Sequence, residues 1–174
     1  MKERIIQASP GHTGSTILVN LLYGLLEPNS DVNFQGKTEN LGKKFITKTH
    51  KLNLDSIINN LKDNEIYFVM SERNDKKVKK LINQKYRNYK NVLIFNFFEL
   101  LETENNTISQ ICINAEKKLR KFLPTTALKY AKGDLQTMKN RIIAMNATYE
   151  KIKNEPFSYV NKFYHIHGSH RNRK

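Results

Sequence analysis

The sequence predicts an α/β fold in a single domain, and three observations point to it. Short apolar runs that read as strands alternate with longer segments of helical periodicity, and each run is cut off by turn-forming residues. The strand-helix order repeats from the N-terminus to about residue 97. At 174 residues the chain is long enough to bury one core around a sheet and too short to require two. A βαβαβαβ order implies a short central parallel sheet of about four to five strands. Right-handed crossovers then put helices on both of its faces, a three-layer α/β/α arrangement with ligands at the carboxyl ends of the strands.

The elements follow in order. Residues 4–8, with Ile5 and Ile6, form a brief apolar run that stops at Ser-Pro-Gly and reads as a buried strand. A helix is expected from Gly14 or Ser15 onward. It is apolar on nearly every side through Leu26, as suits a helix packed between a sheet and its neighbours, and Pro28 closes it. Residues 27–43 are polar and read as a variable loop or lid. Residues 44–48 read as a second strand, residues 54–61 as a helix capped by Asn53 or Asp55, and residues 65–71 as the clearest strand of the chain. Val78, Leu81 and Ile82 carry helical spacing across residues 75–86, and a fourth strand is expected at residues 91–97. Two further helices, at about residues 107–122 and 134–152, precede a basic tail over residues 165–174.

Lys and Arg number 30 against 16 for Asp and Glu, a formal net charge of +14. Such a surplus favours an anionic partner, but nucleic acid, a polyphosphorylated cofactor, an acidic glycan and an anionic membrane surface satisfy it equally. No apolar run approaches the roughly 18 residues a membrane span needs, and the N-terminus enters a strand without a leader pattern. The single cysteine, Cys112, cannot form an internal disulfide. A soluble, cytoplasmic protein is the expectation.

The loop after the first strand, Ser9-Pro10-Gly11-His12-Thr13-Gly14-Ser15-Thr16, carries what phosphate binding needs. It has glycines where a backbone must approach an anion, hydroxyl residues, and a helix N-terminus directly behind. It lacks the Lys of the G-x-x-x-x-G-K-[ST] motif, because Ser15 follows Gly14, and a nucleoside-triphosphatase loses weight accordingly. Pro10, Gly11, His12, Thr13, Gly14, Ser15 and Thr16 are the candidate anion contacts.

His12-Thr13-Gly14-Ser15-Thr16 resembles the 5′-phosphosulfate loop of the sulfotransferases, [K/R]-S-G-[ST]-T, with His12 where the family has a cation. Lys48-Thr49-His50, after the second strand, is similar to the family's K-T-H. Arg73-Asn74-Asp75-Lys76-Lys77-Val78, after the third, is similar to R-N-P-K-D-V. Phe97-Phe98-Glu99-Leu100-Leu101 resembles a degraded Y-E-D-L, and His167-Gly168-Ser169-His170-Arg171 resembles the basic segment that closes over the cofactor. Leu81 stands where the family places a Ser.

The resemblance covers residues 5–171 and implies a P-loop-containing nucleotide-binding fold using 3′-phosphoadenosine 5′-phosphosulfate as sulfate donor, with 3′-phosphoadenosine 5′-phosphate as product. It implies His50 as general base, Lys48 and His12 at the sulfuryl group and leaving phosphate, and Arg73, Gly168, Ser169, His170 and Arg171 at the 3′-phosphate. The acceptor would be a hydroxyl or amine of a glycan or small molecule, and its identity is not legible. Other readings stay open: a basic nucleic-acid-binding module with the loop serving only as structure, a relative that binds cofactor without catalysis, and a nucleotide-kinase-like enzyme. His165, His167 and His170 form an H-x-H-x-x-H run with no Cys or carboxylate cluster beside it, so it reads as polar tail rather than metal site.

Overall fold

The computed structural model describes residues 2–11, 13–26, 46–50, 52–73, 80, 89, 91–129, 131–152, 160–161 and 166–167. Among them, β1 (Lys2–Ala8), β2 (Ile46–Thr49), β3 (Asn64–Glu72) and β4 (Val92–Asn96) form one all-parallel sheet in the order β2-β1-β3-β4. Five α-helices accompany it: α1 (Ser15–Leu26), α2 (Leu54–Asn60), α3 (Ile108–Phe122), α4 (Thr125–Lys129) and α5 (Leu135–Ile152). A 3₁₀ turn, Phe97–Leu100, follows β4 directly. The predicted lid at residues 27–43, the helix at residues 75–86 apart from Lys80, and the tail segment Gly168 to Arg171 lie outside the described residues.

Alternation along the strands makes the two faces. Ile5, Ile46, Tyr67, Val69 and Phe95 join one core with α1, α3 and α5, whereas Ile6, Ala8, Ile66, Phe68 and Met70 join Leu54 and Ile57 of α2 in another. Successive side chains of a strand point to opposite faces, so runs such as Ile66-Tyr67-Phe68-Val69-Met70 are apolar throughout because both faces are covered. Helices therefore pack on both sides of the sheet, as the alternating order implied. Each fully buried Leu or Ile contributes about 1.5–3 kcal/mol of transfer free energy. α1 supplies Leu18, Leu21, Leu22 and Leu25, all wholly buried, which explains a helix with no polar face.

Local chemistry sets the ends. Asn53 caps α2 by accepting from Ser56 N–H at 3.1 Å, Thr107 caps α3 through Gln110 N–H at 3.4 Å, and Asp134 accepts from Thr137 N–H at 2.7 Å at the start of α5. α4 had no counterpart among the sequence-predicted elements. It begins directly after Pro124, whose carbonyl accepts from Leu128 N–H at 3.1 Å, and a proline at the head of a short helix was the available signal. Val160–Asn161 and Ile166–His167 pair antiparallel as β5 and β6, with β6 against α5. Cys112 is buried in α3, and burial pushes its thiol up to about 11, so it behaves as a core residue.

α5 lies along α1 at a distance that two glycines permit. A Cβ on Gly24 would sit 2.7 Å from Met138 Cα, and one on Gly133 would sit 1.9 Å from Gly24 O and 2.6 Å from Leu25 O. Backbone atoms cannot yield as a side chain does. Gly133→Ala is therefore expected to cost about 2 kcal/mol or more, a fall in Tm of roughly 4–8 °C in thermal unfolding. An unchanged Tm would show that the contact relaxes without cost.

Candidate functional site

β1 pairs with β2 on one side and β3 on the other, so the strand order reverses at β1. In an open parallel sheet the crevice beyond the carboxyl end of such a strand is where ligands sit. The loop at residues 9–14 springs from that point and enters α1 at Ser15.

Polar residues gather there although they are buried. Gln7, Ser9, Thr13, Ser15, Asn20, Lys48, Thr49 and Ser71 are each 5% exposed or less. Ser9 Oγ receives Gln7 Nε2 at 2.5 Å, Ser71 N–H at 2.8 Å and Ser71 Oγ at 3.0 Å, which ties the loop to β3. The Thr13 hydroxyl lies 2.8 Å from Pro10 O and 2.9 Å from Ser71 Oγ. It is thus engaged in holding the loop's shape. Among the described residues Gln7 Oε1 is buried with no hydrogen-bond partner, an orphan acceptor of the kind functional sites retain.

Gly14 sits at φ +83°, the left-handed region that side chains rarely adopt, and a Cβ there would press to 3.1 Å from Leu100 Cδ1 and 3.3 Å from Phe97 Cδ2. The backbone angle favours glycine, and a side chain there would also oblige Leu100 and Phe97 to give by a few tenths of an ångström. At Gly11, which is exposed, a Cβ would meet nothing within 4 Å, so this part of the loop backbone is open to an approaching group. His12 lies outside the described residues.

Lys48 supplies a cation to a loop whose sequence shows no lysine. Its side chain crosses from β2 and donates from Nζ to Thr16 Oγ1, 3.2 Å away in the first turn of α1. The residue is 1% exposed and, among the described residues, no carboxylate pairs with it. Burial drives its pKa from 10.5 down to about 7. An arriving anion would supply the missing counter-charge.

His50, at the end of β2, places Nδ1 2.8 Å from Ser9 O. A carbonyl only accepts, so Nδ1 carries the proton and Nε2 of the neutral ring is the basic nitrogen. Partial burial lowers the His50 pKa and the Lys48 charge adds to that, while the Ser9 hydrogen bond opposes both. The net effect holds the ring's pKa below the ordinary imidazole range.

Arg73 follows β3, is exposed, and holds its guanidinium 5.0 Å from the Phe97 ring centroid. Lys48, His50 and Arg73 thus stand at the same end of the sheet as the loop. Gly168, Ser169, His170 and Arg171 cannot be placed against them, being outside the described residues.

Two parts of the site were not singled out from the sequence. The polar network of Gln7, Ser9 and Ser71 could have been noticed as polar residues inside apolar runs. A chain of hydrogen bonds also leaves the loop, since Asn20 Nδ2 donates to Thr16 O at 2.8 Å and Asn20 Oδ1 accepts from Arg141 Nε at 2.9 Å. Arg141 lies more than a hundred residues away in sequence, and no local pattern announces it.

A cavity of about 510 Å³ lies at the other end of the sheet, between α2 and the amino ends of β3 and β4, lined by Ile58, Ile66, Phe68 and Tyr89 among others. It lacks the converging cations and open backbone of the loop end, so the loop is the better candidate. Among the described residues there is no group of three or more His, Cys, Asp or Glu able to hold a metal ion. No helix there is long and apolar enough to cross a membrane. No protein-family model matches the chain, and no curated protein matches it.

Proposed function

We propose that this chain is a sulfotransferase with a P-loop-type nucleotide site, moving a sulfuryl group from 3′-phosphoadenosine 5′-phosphosulfate to an acceptor hydroxyl or amine of a glycan or small molecule. The observation that carries the proposal is the gathering of Lys48 and His50, from β2 and the residue after it, and of Arg73, after β3, at the end of the sheet where the loop of β1 lies. Supporting it are the left-handed Gly14, the open backbone at Gly11 and the helix N-terminus behind them, which suit a leaving 5′-phosphate.

The acceptor oxygen attacks sulfur as the bond from sulfur to the bridging phosphate oxygen breaks, and 3′-phosphoadenosine 5′-phosphate departs. The acceptor's proton passes to His50 Nε2, the basic nitrogen of the tautomer that the Ser9 hydrogen bond selects. Lys48, held at Thr16, faces the charge that grows on the departing oxygen and is drawn to its protonated form by it. Arg73 grips the 3′-phosphate through its planar fork of donors.

The test needs no acceptor. Adenosine 3′,5′-bisphosphate at about a hundredfold over its Kd is expected to stabilise the fold by about 2.7 kcal/mol, a thermal shift of roughly 5–10 °C, with smaller shifts from AMP and ATP at equal concentration. Equal shifts from all three would overturn the reading. A basic module using the +14 charge for nucleic acid predicts no such preference and a steep salt dependence of DNA or RNA binding.

A further inference from the structure

We infer that Phe97 is a positioning residue for the donor nucleotide's 3′-phosphate: it holds the Arg73 guanidinium beside the loop. The inference rests on the sulfotransferase reading and adds to it a residue that touches no ligand. The parallel register of β3 and β4 aligns Glu72 with Asn96, so Arg73 and Phe97, the next residue of each segment, leave the sheet side by side. The guanidinium lies 5.0 Å from the centre of the Phe97 ring. Among the described residues no carboxylate pairs with Arg73, which leaves the ring as its partner.

Phe97 is itself held from several directions. Asn96 caps the 3₁₀ turn by accepting from Phe98 N–H at 3.0 Å, and Asn106 Nδ2 clasps the same turn through Phe98 O at 3.2 Å and Leu101 O at 2.8 Å. Leu100 is 1% exposed and anchors the turn in the core, and Lys118 bonds Glu99 from α3. The ring also borders Gly14, where a Cβ would lie 3.3 Å from Phe97 Cδ2. One aromatic ring therefore lies beside both Gly14 of the loop and the Arg73 guanidinium, where it would set the spacing between the two phosphate sites.

A cation–π contact suits this task because the ring attracts the guanidinium without a competing carboxylate, so that its N–H donors remain for a phosphate. An exposed arginine without such a platform would spread over many rotamers, and the terminal phosphate would have to order it on binding.

The test compares calorimetric affinities for adenosine 3′,5′-bisphosphate and adenosine 5′-monophosphate in the full chain and its variants. Phe97→Leu is expected to weaken the bisphosphate between about three- and thirty-fold while leaving the monophosphate unchanged. Phe97→Tyr, which keeps the ring, restores the wild-type preference. Arg73→Ala loses the preference further, and Phe97→Leu added to it has no additional effect. Wild-type preference retained in Phe97→Leu, equal loss of both nucleotides, or additivity with Arg73→Ala would each overturn the role of Phe97. A wild-type protein that does not distinguish the two nucleotides would remove the donor reading, and this role with it.

Discussion

His50→Ala is expected to lower sulfuryl transfer by roughly 10²–10⁴-fold while affinity for adenosine 3′,5′-bisphosphate stays near wild type. On the proposed reading the division follows from the tautomer: Nδ1 is spent on Ser9 O at 2.8 Å, which would leave Nε2 to take the acceptor's proton. Neither nitrogen is called on to hold the nucleotide. Transfer of labelled sulfuryl to a panel of hydroxyl acceptors, with nucleotide binding measured in parallel, checks both halves. The same histidine sets a pH dependence. Because burial lowers its pKa from 6.5, the base form dominates at neutrality, and the rate should fall on acidification only below the ordinary imidazole range. A variant that transfers at the wild-type rate, or one that loses binding together with rate, would remove the general-base role.

The second large effect concerns Lys48. Its pKa falls from 10.5 to about 7 in the folded chain, so between those values the unfolded chain holds a proton that the folded chain does not. A lowered folded pKa for a base means that stability rises with pH across this window and is lost as pH falls toward and through 7. The limiting slope is ~1.4 kcal/mol per pH unit. Urea unfolding between pH 7 and 9.5 should show the slope in the wild type and a flatter profile in Lys48→Met. Saturation with adenosine 3′,5′-bisphosphate should flatten the wild-type profile too, since a bound anion restores the ammonium's counter-charge. Identical slopes in wild type and Lys48→Met would show that Lys48 titrates normally. Such a result would remove the electrostatic coupling between β2 and the loop.

Much of the sheet was legible in the sequence alone. Strands covered on both faces read as nearly continuous apolar runs, so residues 4–8, 65–71 and 91–97 stood out. β1, β3 and β4 extend or trim them by one or two residues, as hydrogen-bond pairing decides strand ends. β2 covers Ile46–Thr49, residues 44 and 45 of the expected strand lying outside the described residues, and its apolar signal is weak because Thr47, Lys48 and Thr49 are buried polar residues. α4 escaped because five residues carry too little periodicity. The roles of Asn106 and Gly133 escaped because each acts on a segment that only folding brings near.

The loop divides the same way. Its composition alone requires a tight, glycine-dependent turn ahead of a helix, because Gly11, Gly14 and the apolar run from Ile17 are local features. The absence of a lysine within it was equally plain. Where a cation for this loop comes from could not be read locally, since Lys48 is 32 residues from Thr16. The sheet order, set by which strand edges pair and how the crossovers turn, brings Lys48 and Ser71 to the two sides of one short segment. Burial then does what no sequence window can: it strips the lysine of solvent and lowers its pKa to about 7.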